Sequence, residues 1–203
     1  MKILCIGKNY KTDAADPGID ITENIVFFMK PETALIKSKL PFYYPEFSKN
    51  IHCDAELVLR ICRLGKHISE RFAHTYYNKI TVGVSFTAID VLEKCKKDGL
   101  PWEIAKAFDG SAAVGSYIDK NEIKDLSNIN FSLKLNNKTI RKASSDQMNF
   151  SFDKLISYIS KFVTLKIGDL IFTGMPAGVG EVQINDLLEA YFDDKKCLEV
   201  KVK

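Results

Sequence analysis

The chain of 203 residues lacks an excess of charge. Its 29 Lys and Arg stand against 26 Asp and Glu, a formal net charge of +3. So small an imbalance supplies no electrostatic footprint for nucleic acid. Long apolar runs are missing as well. The stretches Asn24 to Met29 and Leu170 to Phe172 fall far short of the roughly 20 residues that cross a bilayer, so no membrane partner is expected. Paired-cysteine signatures are also absent. Cys5, Cys53, Cys62, Cys95 and Cys197 are scattered and odd in number, and no CxxC spacing points to a zinc ribbon or a redox dithiol. They read as reduced thiols, several of them buried, which makes a cytoplasmic location the expectation. Prolines and glycines, 6 and 11 in number, are dispersed, and neither a linker nor a repeat of fixed period stands out.

What is present suits a folded domain. The hydrophobic fraction is 46%, and the length can bury a real core as a single domain over 1–203. The opening residues Met1 to Gly7 carry one Lys and a strand-length apolar stretch, and read as part of the fold rather than as a leader. Tyr10 to Asp20 (YKTDAADPGID) is polar with a Pro-Gly step, so 10–20 reads as an exposed loop or mobile lid.

Strand patterns dominate. They cover Ile25 to Met29, Ala55 to Cys62, Ile80 to Phe86, Phe131 to Leu135, Thr139 to Arg141, Leu170 to Thr173 and Leu198 to Val202, with Asn136-Asn137-Lys138 as a hairpin turn. Two helices stand out. One starts near Thr87 and stops at Gly99. The other follows Ser151, with Leu155, Ile156, Ile159, Phe162 and Val163 spaced to make one buried face. Because helices do not alternate with strands, the expected class is α+β with a mixed β-sheet rather than a doubly wound fold.

Three stretches could carry chemistry. In His52-Cys53-Asp54-Ala55-Glu56, strand periodicity puts the two carboxylates on one side. Neighbouring anions repel unless a cation lies between them, and Mg²⁺ or Mn²⁺ would relieve that cost. His52, on the same side, could orient a carboxylate or water. A solvated edge strand of alternating charge is the plainer alternative. In Gly174 to Gly180, three glycines follow an apolar strand, so backbone N–H groups could approach a ligand; a tight structural turn explains them equally. Lys106 and Lys30 sit among apolar neighbours, where a lysine either binds an anionic substrate or snorkels to solvent. His67 and His74 read as surface residues.

Taken in order, six stretches resemble the fumarylacetoacetate hydrolase family. They are Gly7 to Tyr10, Phe28 to Ala34, His52 to Leu57, Gly83 to Asp90, Leu100 to Asp109 and Leu170 to Gly180. The likeness is to the small single-domain branch of acylpyruvases, oxaloacetate decarboxylases and hydroxyheptadienedioate isomerases. It implies a mixed β-sheet roll of the family's C-terminal-domain type and a homodimer. It also implies one Mg²⁺ or Mn²⁺ per site and a small 2-oxo acid substrate that is hydrolysed, decarboxylated or isomerised.

Carried over by position, the resemblance makes Asp54, Glu56 and Ser85 the metal set. Asn9, Tyr10, Lys30, Gly174 and Met175 become substrate contacts, and Asp13, Asp16 and Lys106 catalytic groups. Several of these depart from the family's residues. Asp54 stands for a Glu, Ser85 for an Asp ligand, Ile89 for an Arg, Leu92 for a Gln and Met175 for a Thr. Asp13 and Asp16 fall where the lid His and Glu belong. A lost carboxylate weakens a hard-cation site, and a lost Arg removes a bidentate carboxylate clamp. The resemblance therefore also admits a catalytically altered or inactive homologue that binds a small acid or a partner.

Overall fold

The computed structural model describes residues 1–11, 25–37, 40–175 and 180–203. The expected lid, with Asp13 and Asp16, lies outside them except for Tyr10 and Lys11. Among the described residues there are twelve strands: β1 (Lys2–Gly7), β2 (Val26–Pro31), β3 (Ile51–Ile61), β4 (Tyr77–Ala88), β5 (Ala112–Val114), β6 (Ile118–Asp119), β7 (Asn130–Leu135), β8 (Lys138–Ser144), β9 (Leu170–Phe172), β10 (Gly180–Val182), β11 (Leu187–Phe192) and β12 (Lys195–Lys201). Four helices accompany them: α1 (Glu70–Ala73), α2 (Ile89–Asp98), α3 (Glu103–Lys106) and α4 (Phe152–Phe162). The α+β expectation with a mixed sheet holds. One sheet runs β2-β1-β9-β3-β4-β5, with β10 also on β3 and β6 on β4; the second runs β12-β11-β7-β8. Only the β1–β9 pair is parallel among the described strands.

Alternation in β3 and β4 builds the core. Ile51, Cys53, Ala55, Leu57, Leu59 and Ile61 point one way, with Ile80, Val82, Val84, Phe86 and Ala88 beside them, all essentially inaccessible. This face packs on Phe131, Leu133, Leu188 and Ala190 of the second sheet and on Leu155, Ile156 and Ile159 of α4. The opposite face carries a smaller apolar cluster that includes Ile3, Cys5, Val58, Leu170 and Phe172.

The helix after Ser151 forms as the spacing predicts, and the Ser151 hydroxyl accepts from the Lys154 N–H at 3.2 Å. The other helix starts at Ile89, later than Thr87, because Thr87 and Ala88 still pair with His52 and Ile51. Gly99 ends it in the left-handed region, at φ 67°. In the hairpin, Asn136 and Asn137 both have positive φ, 50° and 66°, which is the backbone that a two-residue turn between twisted strands requires.

Candidate active site

The stretch from His52 to Glu56 is not an edge strand. It lies within β3, paired to β4 on one side and to β10 and β9 on the other. On that second side the ladder stops at Cys53, opposite Gly180, and resumes at Val58, opposite Phe172. Among the described residues no ladder pair therefore falls on that side of Asp54 and Glu56, where Thr173 and Gly174 bond to Leu57 and Glu56 instead. Register puts Asp54 opposite Ser85, Glu56 opposite Gly83 and His52 opposite Thr87, so all of these share the face away from the main core. Ser85 and Thr87 are buried there.

Glu56 is held by the loop that follows β9. Its Oε2 accepts from the Gly174 N–H at 2.6 Å, and Gly174 reaches that position with φ at 85°, its would-be Cβ 3.0 Å from the Ile6 carbonyl. The glycine-rich loop therefore serves a carboxylate of the protein at this point, in a conformation a larger residue resists. Thr173 ties the same loop to β3, with its N–H and its hydroxyl both donating to the Leu57 carbonyl at 3.0 Å.

Asn9 and Tyr10, expected to touch substrate, take buried places in the scaffold. Asn9 is fully buried. Its Nδ2 donates to the Thr173 carbonyl at 2.9 Å, and its Oδ1 accepts from the Phe150 N–H at 2.9 Å. Its amide is consumed in joining β1 to the loop that carries Gly174. Tyr10 is not exposed; it is sealed in the core edge-on to Phe131 and bridged to Met148. Met175, also expected to touch substrate, is partly buried against the main core.

The two lysines point inward, against the snorkelling alternative. Lys30 is 1% exposed. Its Nζ donates to the Ser111 carbonyl at 2.6 Å and to the Phe86 carbonyl and Ser111 hydroxyl at 3.3 Å. These neutral acceptors do not repay the burial of a charge, and burial brings its ammonium down to about 8. Lys106, at the end of α3, donates to the Thr87 hydroxyl at 3.3 Å and lies over the Phe28 ring at 5.2 Å.

Burial governs the carboxylates as well. It pushes Asp54 up to about 6, against the pull of Lys106, Arg141 and Lys30. It pushes Glu56 up to about 7, helped by the Asp54 charge and opposed by the Gly174 N–H and the two lysines. Asp54 Oδ1 and His52 Nδ1 are buried without a hydrogen-bond partner among the described residues. A buried carboxylate oxygen left unpaired beside a second carboxylate is costly unless a cation completes it. Asp54 and Glu56, with the Ser85 hydroxyl opposite, fit a hard divalent cation as an all-oxygen set. No cluster of three His, Cys, Asp or Glu side chains suited to a metal occurs among the described residues, in keeping with Ser85 at the third position.

Two further groups lie within electrostatic reach of this site without having been legible as part of it. Cys5 comes from β1, and burial pushes its thiol up to about 12, so it is a neutral neighbour and no nucleophile. Arg141, from β8 of the second sheet, exerts its charge on Asp54. His67 and His74 are exposed as expected. Phe47, Leu100, Ile104 and Phe108 line an apolar groove of about 870 Å³ with α2 and α3, away from the carboxylates.

Mixed sheets with a few short helices, carrying Asp54, Glu56 and two inward-facing lysines, define an α+β fold of the β-roll class. Residues 2–203 match the family described as fumarylacetoacetate (FAA) hydrolase C-terminal, and the chain belongs to that family. A mitochondrial oxaloacetate tautomerase of Mus musculus is 36% identical over 201 residues, 99% of this chain and 91% of the relative. An oxaloacetate tautomerase of Escherichia coli is 36% identical over 95% of this chain and 88% of its own length. The crystal structure of fumarylpyruvate hydrolase from Pseudomonas aeruginosa, in complex with Mn²⁺ and pyruvate, superposes with a TM-score of 0.89 at 32% identity, covering 100% of this chain and 89% of that one.

Proposed function

We propose that this protein is a divalent-metal-dependent enzyme acting on a small 2-oxo acid, with proton transfer beside the 2-oxo group as its basic step. Keto–enol tautomerisation moves a proton between carbon and oxygen through the enolate; decarboxylation and hydrolytic cleavage form an enolate by breaking a carbon–carbon bond, and the same proton transfer then completes them. The observation that carries this reading is the pair Asp54 and Glu56 on one sheet face, with a buried Asp54 oxygen that has no partner among the described residues. Asp54, Glu56 and Ser85 would hold Mg²⁺ or Mn²⁺, which when bound supplies Lewis-acid polarisation of the substrate carbonyl. The remaining work belongs to the chain. The Gly174 N–H fixes the direction of Glu56. Lys106, on the same side as Thr87, offsets the negative charge that a bound acid brings. Lys30, locked by three acceptors, contributes a fixed positive field rather than a mobile contact. Asp13 and Asp16 belong to the reading as the candidate bases.

The activities named for the relatives support this reading, as does Mn²⁺ in the Pseudomonas structure. The five free cysteines agree with a reducing compartment such as the cytoplasm, and a homodimer completes the proposal. Purified protein with Mn²⁺, supplied with enol oxaloacetate, should accelerate decay of the enol absorbance, with decarboxylation and acylpyruvate hydrolysis followed in parallel. Absence of all three activities with Mn²⁺ bound would favour the second reading, a binding protein without turnover. Ser85 and Ile89, where the family places a ligand Asp and an Arg, are the observations behind it.

A further inference from the structure

Helix α3 is a single turn that ends on Lys106, too short to hold its shape by its own hydrogen bonds. Its last carbonyls have no partner within the helix, and Ile104 leaves its outer side open to solvent. The Lys106 side chain does little to fix its own place. Among the described residues its ammonium has one hydrogen bond, to the Thr87 hydroxyl at 3.3 Å, and the Phe28 ring at 5.2 Å. The neighbouring Lys30 charge opposes it. The place of this ammonium is therefore left largely to the backbone that carries it.

That backbone is held by Ser111, fully buried just ahead of β5. Its hydroxyl donates to the Lys106 carbonyl at 3.2 Å and accepts from the Lys30 Nζ at 3.3 Å. A hydroxyl has a single proton, so with Lys30 donating to it, that proton is committed to the Lys106 carbonyl. The Ser111 carbonyl accepts from the Lys30 Nζ at 2.6 Å and from the Phe86 N–H at 2.9 Å. This fastens Ser111 to β4 between Ser85 and Thr87, where the Phe86 carbonyl also accepts from Lys30. One small residue thus joins the backbone of Lys106 to the strand that supplies its side-chain partner, through a chain of donors that strengthen one another away from water. We infer that Ser111 is a positioning residue that sets where the Lys106 ammonium stands beside Thr87, and so how well the site takes up an anionic acid, a role that rests on the reading of the site as one for 2-oxo acids. Ser111 touches neither the acid nor the metal in this assignment; it acts through Lys106.

The test is a double-mutant cycle of Ser111→Ala and Lys106→Ala, read by calorimetry with Mn²⁺ and then pyruvate, and by initial rates with oxaloacetate. Ser111→Ala removes the two hydroxyl bonds but keeps both backbone acceptors of Lys30, so β4 stays tied and Mn²⁺ affinity should stay within about twofold. Pyruvate affinity and kcat/KM should fall about tenfold, the scale of a displaced binding group. With Lys106 already replaced, Ser111→Ala should cost less than about twofold in both. Thermal melting should still fall in that background, because Lys106→Ala keeps the carbonyl that Ser111 holds; a merely structural serine would lower melting and acid binding together in both. An additive cycle, or acid binding that Ser111→Ala leaves intact, overturns the assignment. A second measurement needs no turnover. Reductive ¹³C-methylation labels the lysines with their charge retained, and the Lys106 methyl resonance, identified by its loss in Lys106→Ala, should shift in Ser111→Ala. If wild type binds no acid and that resonance shifts, the acid-site reading fails and the positioning of Lys106 stands. If the resonance does not move, the positioning role falls.

Discussion

Replacing Glu56 by glutamine keeps the side chain's shape and its acceptor for the Gly174 N–H while removing its charge. In the folded protein the carboxyl rises from 4.5 to about 7, chiefly through burial and then through Asp54. The folded state therefore binds more protons than the unfolded state between those two values, and stability falls as pH rises through that window. At about 1.4 kcal/mol per pH unit, the ionised carboxylate costs the metal-free protein about 3 kcal/mol above pH 7. Near pH 4 both states are largely protonated and the cost vanishes. Glu56→Gln should accordingly melt with wild type near pH 4 and about 6–12 °C above it near pH 8, since a chain of this size shifts about 2–4 °C per kcal/mol. Scanning calorimetry in chelator at a series of pH values measures the gap. Mn²⁺ should narrow or reverse it, because a ligand at 100 times its Kd stabilises wild type by about 2.7 kcal/mol and the variant has lost a ligand. A gap that does not change with pH, or a variant less stable near pH 8, would refute the reasoning that burial of this charge is uncompensated.

Ser85→Asp restores a third carboxylate opposite Asp54. It should raise Mn²⁺ affinity at least about tenfold by calorimetry, and lower the melting temperature of the metal-free protein near pH 8; unchanged affinity would remove position 85 from the metal set. Asn9→Ala strands the Thr173 carbonyl and the Phe150 N–H. Urea unfolding should report a loss of about 2–4 kcal/mol, and a loss within error would contradict its scaffolding place. Ser151→Ala removes the cap of α4 and should cost about 1 kcal/mol in the same assay.

The alternation of β3 and β4, the Asn136-Asn137 turn, the Ser151 cap and the Gly99 stop were all legible in the sequence. Each is a local rule of side-chain period or backbone torsion, satisfied within a few residues. The same rule put Asp54 and Glu56 on one side, and the order of six motifs indicated the family. Whether that side was solvated or sealed was not a local question. Pairing with β10 and β9, more than 100 residues away, turned a strand of alternating charge into an interior one. Asn9 precedes the expected lid and Tyr10 begins it, yet long-range partners at Phe150, Thr173 and Phe131 took both into the scaffold. Lys30 had two possible fates until Ser111 and Phe86 supplied its acceptors. Ser111 gave no signal at all, because Lys30 and the Lys106 carbonyl meet its hydroxyl only in the folded chain. The sequence alone determined the class of fold, the strand carrying the carboxylates and the family. Tertiary structure decided which charges lose their water, since desolvation is set by what packs on a residue from elsewhere in the chain.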